Sequence, residues 1–307
     1  MTEKPAYITD ADKAEYGRFV AHHLPAFARN APAELWHYTN AQGLIAILTT
    51  GKIFSTQIAC LNDNLERRYF GDLVHAALKD IATKNTDAKL AVLFGAALSQ
   101  LEKPDFSATW HFATCFSEVE DDLGQWRGYG GGECGYAIGF NTELLVKAIS
   151  ARRKDALLIP MSYEQAKHQF LVQDVIANAQ CYFLAGADKF PDLQRWANEF
   201  LEAFAYELDV YTCMLKHPKF AGEVERRLVI PFRKEDLPSL VFSQKRTLLA
   251  RHLPIDLTLD KELLPISRLY IGPGPAQRVS QVSAGTLMEQ RGYDVKVELS
   301  TVPYRTP

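Results

Sequence analysis

Leu35-Trp36-His37-Tyr38-Thr39, then Asn40-Ala41-Gln42-Gly43-Leu44-Ile45-Ala46-Ile47-Leu48, then Gly51-Lys52-Ile53-Phe54-Ser55, is the stretch on which the fold turns. It reads as a short strand, a capped helix, a glycine stop and a second strand. Thr39 or Asn40 can cap the helix, and Leu44, Ile45, Ile47 and Leu48 supply its inward face. Gly51 stands where the helix must end with φ > 0, which costs glycine little. His37, Tyr38 and Thr39 fall where strand passes to helix, a junction that exposes backbone donors and commonly holds ligands.

Outward from that unit, the chain alternates irregularly between helical and strand patterns. Before it, residues 10–27 read as a helix in which Tyr16, Phe19, Val20, His23 and Leu24 recur at three- and four-residue steps. His22 and His23 are adjacent, so they point about 100° apart on a helix and make a poor metal pair. After it, residues 65–101 are helical with a break at Asn85-Thr86-Asp87, and Trp110 to Phe116 is a β-type run. Cys134 to Phe140 is a further strand and reads as a sheet neighbour of that run. Residues 142–152, 164–185 and 193–215 are helical, with a strand between Ala156 and Tyr163. Strand character returns at 223–232, 240–242, 268–272 and 293–299, with a helix at 279–291. Scattered strands with helical insertions indicate one α+β domain. The expected division is a helical extension over 1–34 and one domain over 35–307, carrying a largely helical insertion at about 142–216.

Composition narrows the class. The 307 residues are 47% apolar and 23% charged, as in ordinary globular proteins, and the net charge of −3 offers no sequence-wide footprint for nucleic acid. The five cysteines are widely spaced and odd in number, without C-x-x-C, which argues against a zinc ribbon or a disulfide framework. No apolar run is long enough to span a membrane and no leader is evident at Met1, so the expectation is a cytoplasmic protein with no membrane partner.

Motifs carry less. Gly130, Gly132 and Gly135 satisfy G-x-G-x-x-G, but a strand rather than a helix follows, so the helix N-terminus that a dinucleotide site requires is missing. Glu223 and Glu225, placed on one strand, would project to the same face, where they are either a solvated edge or a working pair of carboxylates. Asp63, Glu66, Asp121 and Asp122 are acidic without diagnostic spacing, and no metal site is expected. No G-x-S-x-G marks a nucleophile elbow.

Taken together, His37-Tyr38-Thr39, Gly43-Leu44, Leu61-Asn62-Asp63 with Glu66, Cys115-Phe116-Ser117, Trp126 with Tyr129, Gly135 to Phe140, Glu223-x-Glu225-x-Arg227, Ile271-Gly272-Pro273 and Pro303-Tyr304-Arg305 resemble the domain-of-unknown-function 2971 family, from about residue 35 onward. Phe220 stands where that family often has Trp. A strand-borne His, a Ser-ended strand and a late Glu strand are more distantly similar to the ADP-ribosyltransferase superfamily. That resemblance implies an ADP-ribosyltransferase-like fold on a mixed, split β-sheet core, with NAD as co-substrate and attack at the nicotinamide–ribose bond through a transition state of oxocarbenium character. It implies Glu225 as the stabilising carboxylate, Glu223 as the residue orienting or deprotonating the acceptor, and His37 as a hydrogen-bond partner of a ribose hydroxyl. Tyr38 or Tyr129 would stack on nicotinamide, Ser117 would brace Glu225, and Thr39 and Trp126 would complete the nucleotide wall. The competing expectations are a non-catalytic ligand-sensing or protein-interaction domain, and a metal-dependent phosphodiesterase around Asp63, Glu66 and Asp121.

Overall fold

The computed structural model describes residues 7–61, 64–102, 111–130, 134–245, 247–259 and 263–303, without the side chains of 64–67. Within these residues nine helices and ten strands follow one another. The helices are α1 (Asp10–Phe27), α2 (Ala41–Thr50), α3 (Asn64–Lys84), α4 (Ala88–Leu101), α5 (Leu123–Tyr129), α6 (Thr142–Arg152), α7 (Gln165–Ala187), α8 (Leu193–Met214) and α9 (Gln277–Gln290). The strands are β1 (Glu34–Thr39), β2 (Lys52–Gln57), β3 (His111–Ser117), β4 (Tyr136–Asn141), β5 (Leu157–Pro160), β6 (Glu225–Pro231), β7 (Val241–Lys245), β8 (Leu248–Asp256), β9 (Ile266–Ile271) and β10 (Lys296–Leu299). The chain is therefore α+β.

It divides into two compact units. One comprises Met1–Ala28, Leu61–Trp110 and Ser162–Pro218, and the other Arg29–Cys60, His111–Met161 and Lys219–Pro307. The first is helical. Thr9 caps α1 reciprocally with Asp12, and Tyr16 and Phe19 of that helix pack against Tyr182 and Phe204. His23 is buried between the Phe19 carbonyl and the Asp174 carboxylate while His22 is exposed. The pair is split across the helix, as its geometry requires.

The second unit is built on one open, mixed sheet. Strand order runs β10-β9-β4-β1-β3-β2-β8-β7, with β6 on the other side of β3 and β5 beyond it. Every pairing is antiparallel except β9 with β10. β3 and β4 share the sheet but are not neighbours, because β1 lies between them. β6 pairs with β3 along all of Ser117 to His111. That leaves one free edge of β3, and two strands share it. β1 meets it only at Trp36↔Ser117, and β2 only at Thr56↔Ala113 and Gln57↔Phe112. The sheet forks between them.

Alternation sorts the side chains onto two faces. Leu35, Ile53, Phe116, Ile138, Phe140, Leu228, Leu253 and Leu269 belong to one apolar core, which takes in Leu44, Ile47 and Leu48 of α2 and Leu145 of α6. Ile45 points outward, one residue step off that stripe. Asn40 is the cap of α2, accepting from the Gly43 amide, and Gly51 ends the helix at φ 65°. Gly43 is needed for close approach, since a Cβ there would lie 2.0 Å from Thr39 Oγ1. The opposite face carries Trp36, Tyr38, Ala137 and Tyr270, packed with Trp126 of α5.

Candidate functional site

The fork is where polar side chains stand in for missing backbone pairing. After Trp36, β1 diverges from β3, and the Cys115 carbonyl is met by a side chain instead. His37 Nδ1 lies 3.0 Å from Cys115 O. A carbonyl only accepts, so Nδ1 carries the proton and Nε2 presents its lone pair in the neutral ring. Among the described residues no protein group bonds Nε2. Burial pushes the His37 pKa below its ordinary value, with the Cys115 carbonyl pulling weakly the other way, and the residue remains partly exposed. On the β2 side of the fork, Ser55 Oγ and Thr114 Oγ1 are 2.7 Å apart and buried. The result is an oriented, neutral acceptor at a break in the sheet.

The carboxylates are elsewhere. The register Trp36↔Ser117↔Glu225 places those three side chains on one face, whereas His37 sits on the other, against the Phe116 ring. Glu225 is 5% exposed and Arg227 2%. Two residues apart on β6, they pair through Nε at 2.7 Å and Nη2 at 3.1 Å, one to each carboxylate oxygen. Such a fork-to-fork pair sets the geometry of the carboxylate. His37 and Glu225 therefore do not share a cavity within this unit.

Glu223 does not share the strand with Glu225. It ends a 3-10 turn over Pro218–Glu223, and Val224 follows with φ 42°. A left-handed β-branched residue is strained, and it breaks the two-residue alternation on which a same-face pair depends. Ser117 holds this turn rather than bracing Glu225. Its hydroxyl donates to Glu223 O and accepts from Val119 N, while Glu118 N donates to Val224 O.

Tyr38 and Trp126 are packed instead of open for stacking. Tyr38 OH donates to Val119 O and accepts from Asp122 N, and burial raises its pKa. Its ring meets Trp126 edge-on, and Trp126 Nε1 donates to Asp121 Oδ1. Asp121 Oδ2 accepts from the Thr301 amide and hydroxyl, so this carboxylate is a structural clasp. Tyr129, at the end of α5, is exposed. Thr39 lies over Gly43 at the start of α2. Asp63 and the Glu66 side chain lie outside the described residues, as do Gly131, Gly132 and Tyr304. Among the described residues no cluster of three or more His, Cys, Asp or Glu is arranged to hold a metal ion, and no helix is long and apolar enough to cross a membrane.

Sequence reasoning missed Arg227 as the partner of Glu225, and Ser55 and Thr114 as the fork's hydroxyl pair. An apolar-flanked Glu-x-Arg on a strand could have revealed the first, since i and i+2 share a face. The second had no local signal, because it joins two strands 59 residues apart. In the helical unit, Tyr69 OH lies 3.0 Å from His168 Nδ1, and His168 Nε2 lies 3.0 Å from Ser162 Oγ and 3.1 Å from Ser162 O. The Ser162 carbonyl demands a proton on Nε2, so Nδ1 accepts from Tyr69, and Ser162 is not activated.

With this geometry in place, the chain can be set beside known proteins. Residues 125–228 match the family model described as "Protein of unknown function (DUF2971)". The DUF2971 match begins in α5, includes Trp126, Tyr129, Glu223, Glu225 and Arg227, and stops within β6. The blocks at His37 and Ser117 precede it, so it is narrower than the span over which the motifs resemble the family. No curated protein and no solved structure matches the chain.

Proposed function

We propose that the sheet unit is a ligand-sensing domain that binds a small hydroxyl-bearing nucleotide at the fork without cleaving it. The observation that carries this reading is His37: partly exposed, neutral, and locked by Cys115 O in the tautomer whose Nε2 accepts. That is the state needed to receive a hydrogen bond from a ribose hydroxyl. Cleavage of a nicotinamide–ribose bond needs in addition a carboxylate beside the developing positive charge. Glu225 lies on the other face and is engaged by Arg227. The test is calorimetry with NAD and with ADP-ribose, together with chromatographic measurement of nicotinamide release. Binding that is lost in His37→Ala, with no release of nicotinamide, is the expected result. Absence of binding to either compound overturns the reading.

A second reading, NAD-dependent ADP-ribosyl transfer or NAD hydrolysis, is favoured by one observation. Tyr38, Ser117 and Glu225 share a sheet face with Trp126 packed on it. In that chemistry nicotinamide leaves with the bond's electron pair, and an acceptor or water adds to the ribose carbon. Nicotinamide release by the wild type that disappears in a folded Glu225→Gln variant would establish it in place of the first.

A further inference from the structure

Beyond the fork, three neighbouring strands hold a second histidine between two hydroxyls. Thr56 on β2 faces His252 on β8, and His252 is a diagonal neighbour of Ser243 on β7. Register puts these three side chains on one face, opposite that of Ser55. Ser243 Oγ lies 2.7 Å from His252 Nε2, and His252 Nδ1 lies 3.0 Å from Thr56 Oγ1. A hydroxyl donates or accepts, so the ring can keep its proton on Nδ1 toward Thr56 and take the Ser243 proton on Nε2. His168 cannot do this for Ser162, because a carbonyl holds its Nε2 proton. Burial and the Lys245 charge keep the His252 pKa below its ordinary value, which leaves a neutral base at neutral pH. Ser243 is exposed. Its other diagonal neighbour, Leu248, is exposed too, as is Phe54, whose ring centroid lies 6.1 Å from that of His252. The outer edge of β7 pairs with no strand among the described residues, which places backbone donors beside the hydroxyl.

We propose that Ser243, His252 and Thr56 form a nucleophilic site that hydrolyses small neutral esters with apolar groups on both sides of the carbonyl. The ester lies along the row from Leu248 to Phe54. Ser243 Oγ bonds to the carbonyl carbon as its proton passes to His252 Nε2, and edge amides of β7 donate to the oxyanion. The C–O bond to the leaving group then breaks, and the alcohol departs with the electron pair and that proton. Water adds to the acyl carbon and gives its proton to Nε2, and the acid leaves as Ser243 recovers the proton. Thr56 is a positioning residue. Being uncharged, it stabilises the imidazolium less than a carboxylate would, so activated phenyl esters are the expected substrates.

The experiment incubates the full chain with p-nitrophenyl butyrate, and separately with a fluorophosphonate whose adduct is located by mass spectrometry. A burst of nitrophenol and an adduct on Ser243 are expected. Both should vanish in Ser243→Ala, whose exposed position spares the fold. His252→Ala should slow labelling about 100-fold. Thr56→Val should lower kcat with KM unchanged, and Thr56→Ser should restore it. No adduct, an adduct elsewhere, or hydrolysis undiminished in Ser243→Ala overturns the proposal and leaves the three side chains as a cross-strand bolt.

Discussion

His37 and Glu225 are the two residues whose surroundings decide what chemistry is available. His37 donates through Nδ1 to Cys115 O, so its free lone pair is usable only while the ring is neutral. Its pKa is held below the ordinary histidine value of about 6.5. Nucleotide affinity should therefore be flat from neutral pH down to roughly pH 6.5, and fall only as pH drops through the lowered value, as calorimetry at stepped pH would record. The same shift sets a stability term of one sign. It is fully present above the unfolded-state pKa and lost on acidification, because the unfolded chain takes the proton first. Glu225 and Arg227 bind each other out of water. Arg227→Met leaves a buried carboxylate without its principal cation and should cost about 3–5 kcal/mol in urea unfolding. The double replacement Glu225→Leu/Arg227→Met removes both charges and should cost markedly less. Equal destabilisation of the single and double variants would show that Glu225 and Arg227 do not act as one buried unit. Alternation along β6 puts Glu225 and Arg227 on one face, a signal masked in the sequence by the competing pairing of Glu223 with Glu225. The turn at Val224 was not legible, because φ > 0 at a valine is imposed by the bonds of Ser117 and Glu118 across the sheet.

At the scale of elements, local signals worked wherever a helix was amphipathic and capped. α6 occupies residues 142–152 as its pattern predicts, and Asn85-Thr86-Asp87 separates α3 from α4, with Asp87 capping the latter. Asn40 bonds the Gly43 amide at 2.8 Å, so Asn40→Ala should cost about 1 kcal/mol of stability, visible as a lower urea midpoint with an unchanged slope. β8 escaped detection. Its Leu-Leu-Ala-Arg-His-Leu-Pro-Ile-Asp lacks β-branched residues apart from Ile255 and contains Pro254, yet it is a nine-residue strand. Pairing to both β2 and β7 overrides its weak propensity. Gly139 illustrates the converse, a residue explained only by its neighbour. A Cβ there would meet the Trp36 ring at 2.8 Å. Trp36 is buried, with the Arg268 guanidinium over its ring and Tyr270 against it edge-on, so it cannot yield. Gly139→Ala should destabilise the protein by about 1–3 kcal/mol, and calorimetric melting would measure the loss.

Over the whole molecule, long-range ties join segments that are far apart in sequence. Arg268 on β9 pairs with Glu34 on β1 and with Glu120 after β3, and lies near Glu298 on β10. The Arg268 hydrogen bonds hold the Glu34 carboxyl below its ordinary pKa. This term is present above the unfolded glutamate value of about 4.3 and lost as pH falls through the lowered folded value. Glu34→Gln should flatten the acid limb of the melting-temperature profile without changing the neutral plateau's pH dependence. A mutant profile that still falls as steeply would show that Glu34 is not the titrating group. What the sequence by itself determined was the α+β class, most element positions, the cap and stop of α2, and the neighbourhood of His37. Those follow from the 3.6- and two-residue periodicities and from turn chemistry, which act over a few residues. Only the tertiary structure decided that β1 and β2 part along one edge of β3, that His37 fills the gap, and that Glu225 faces away from it. Strand order and facing depend on which distant segments satisfy one another's backbone groups, and no local pattern encodes that choice.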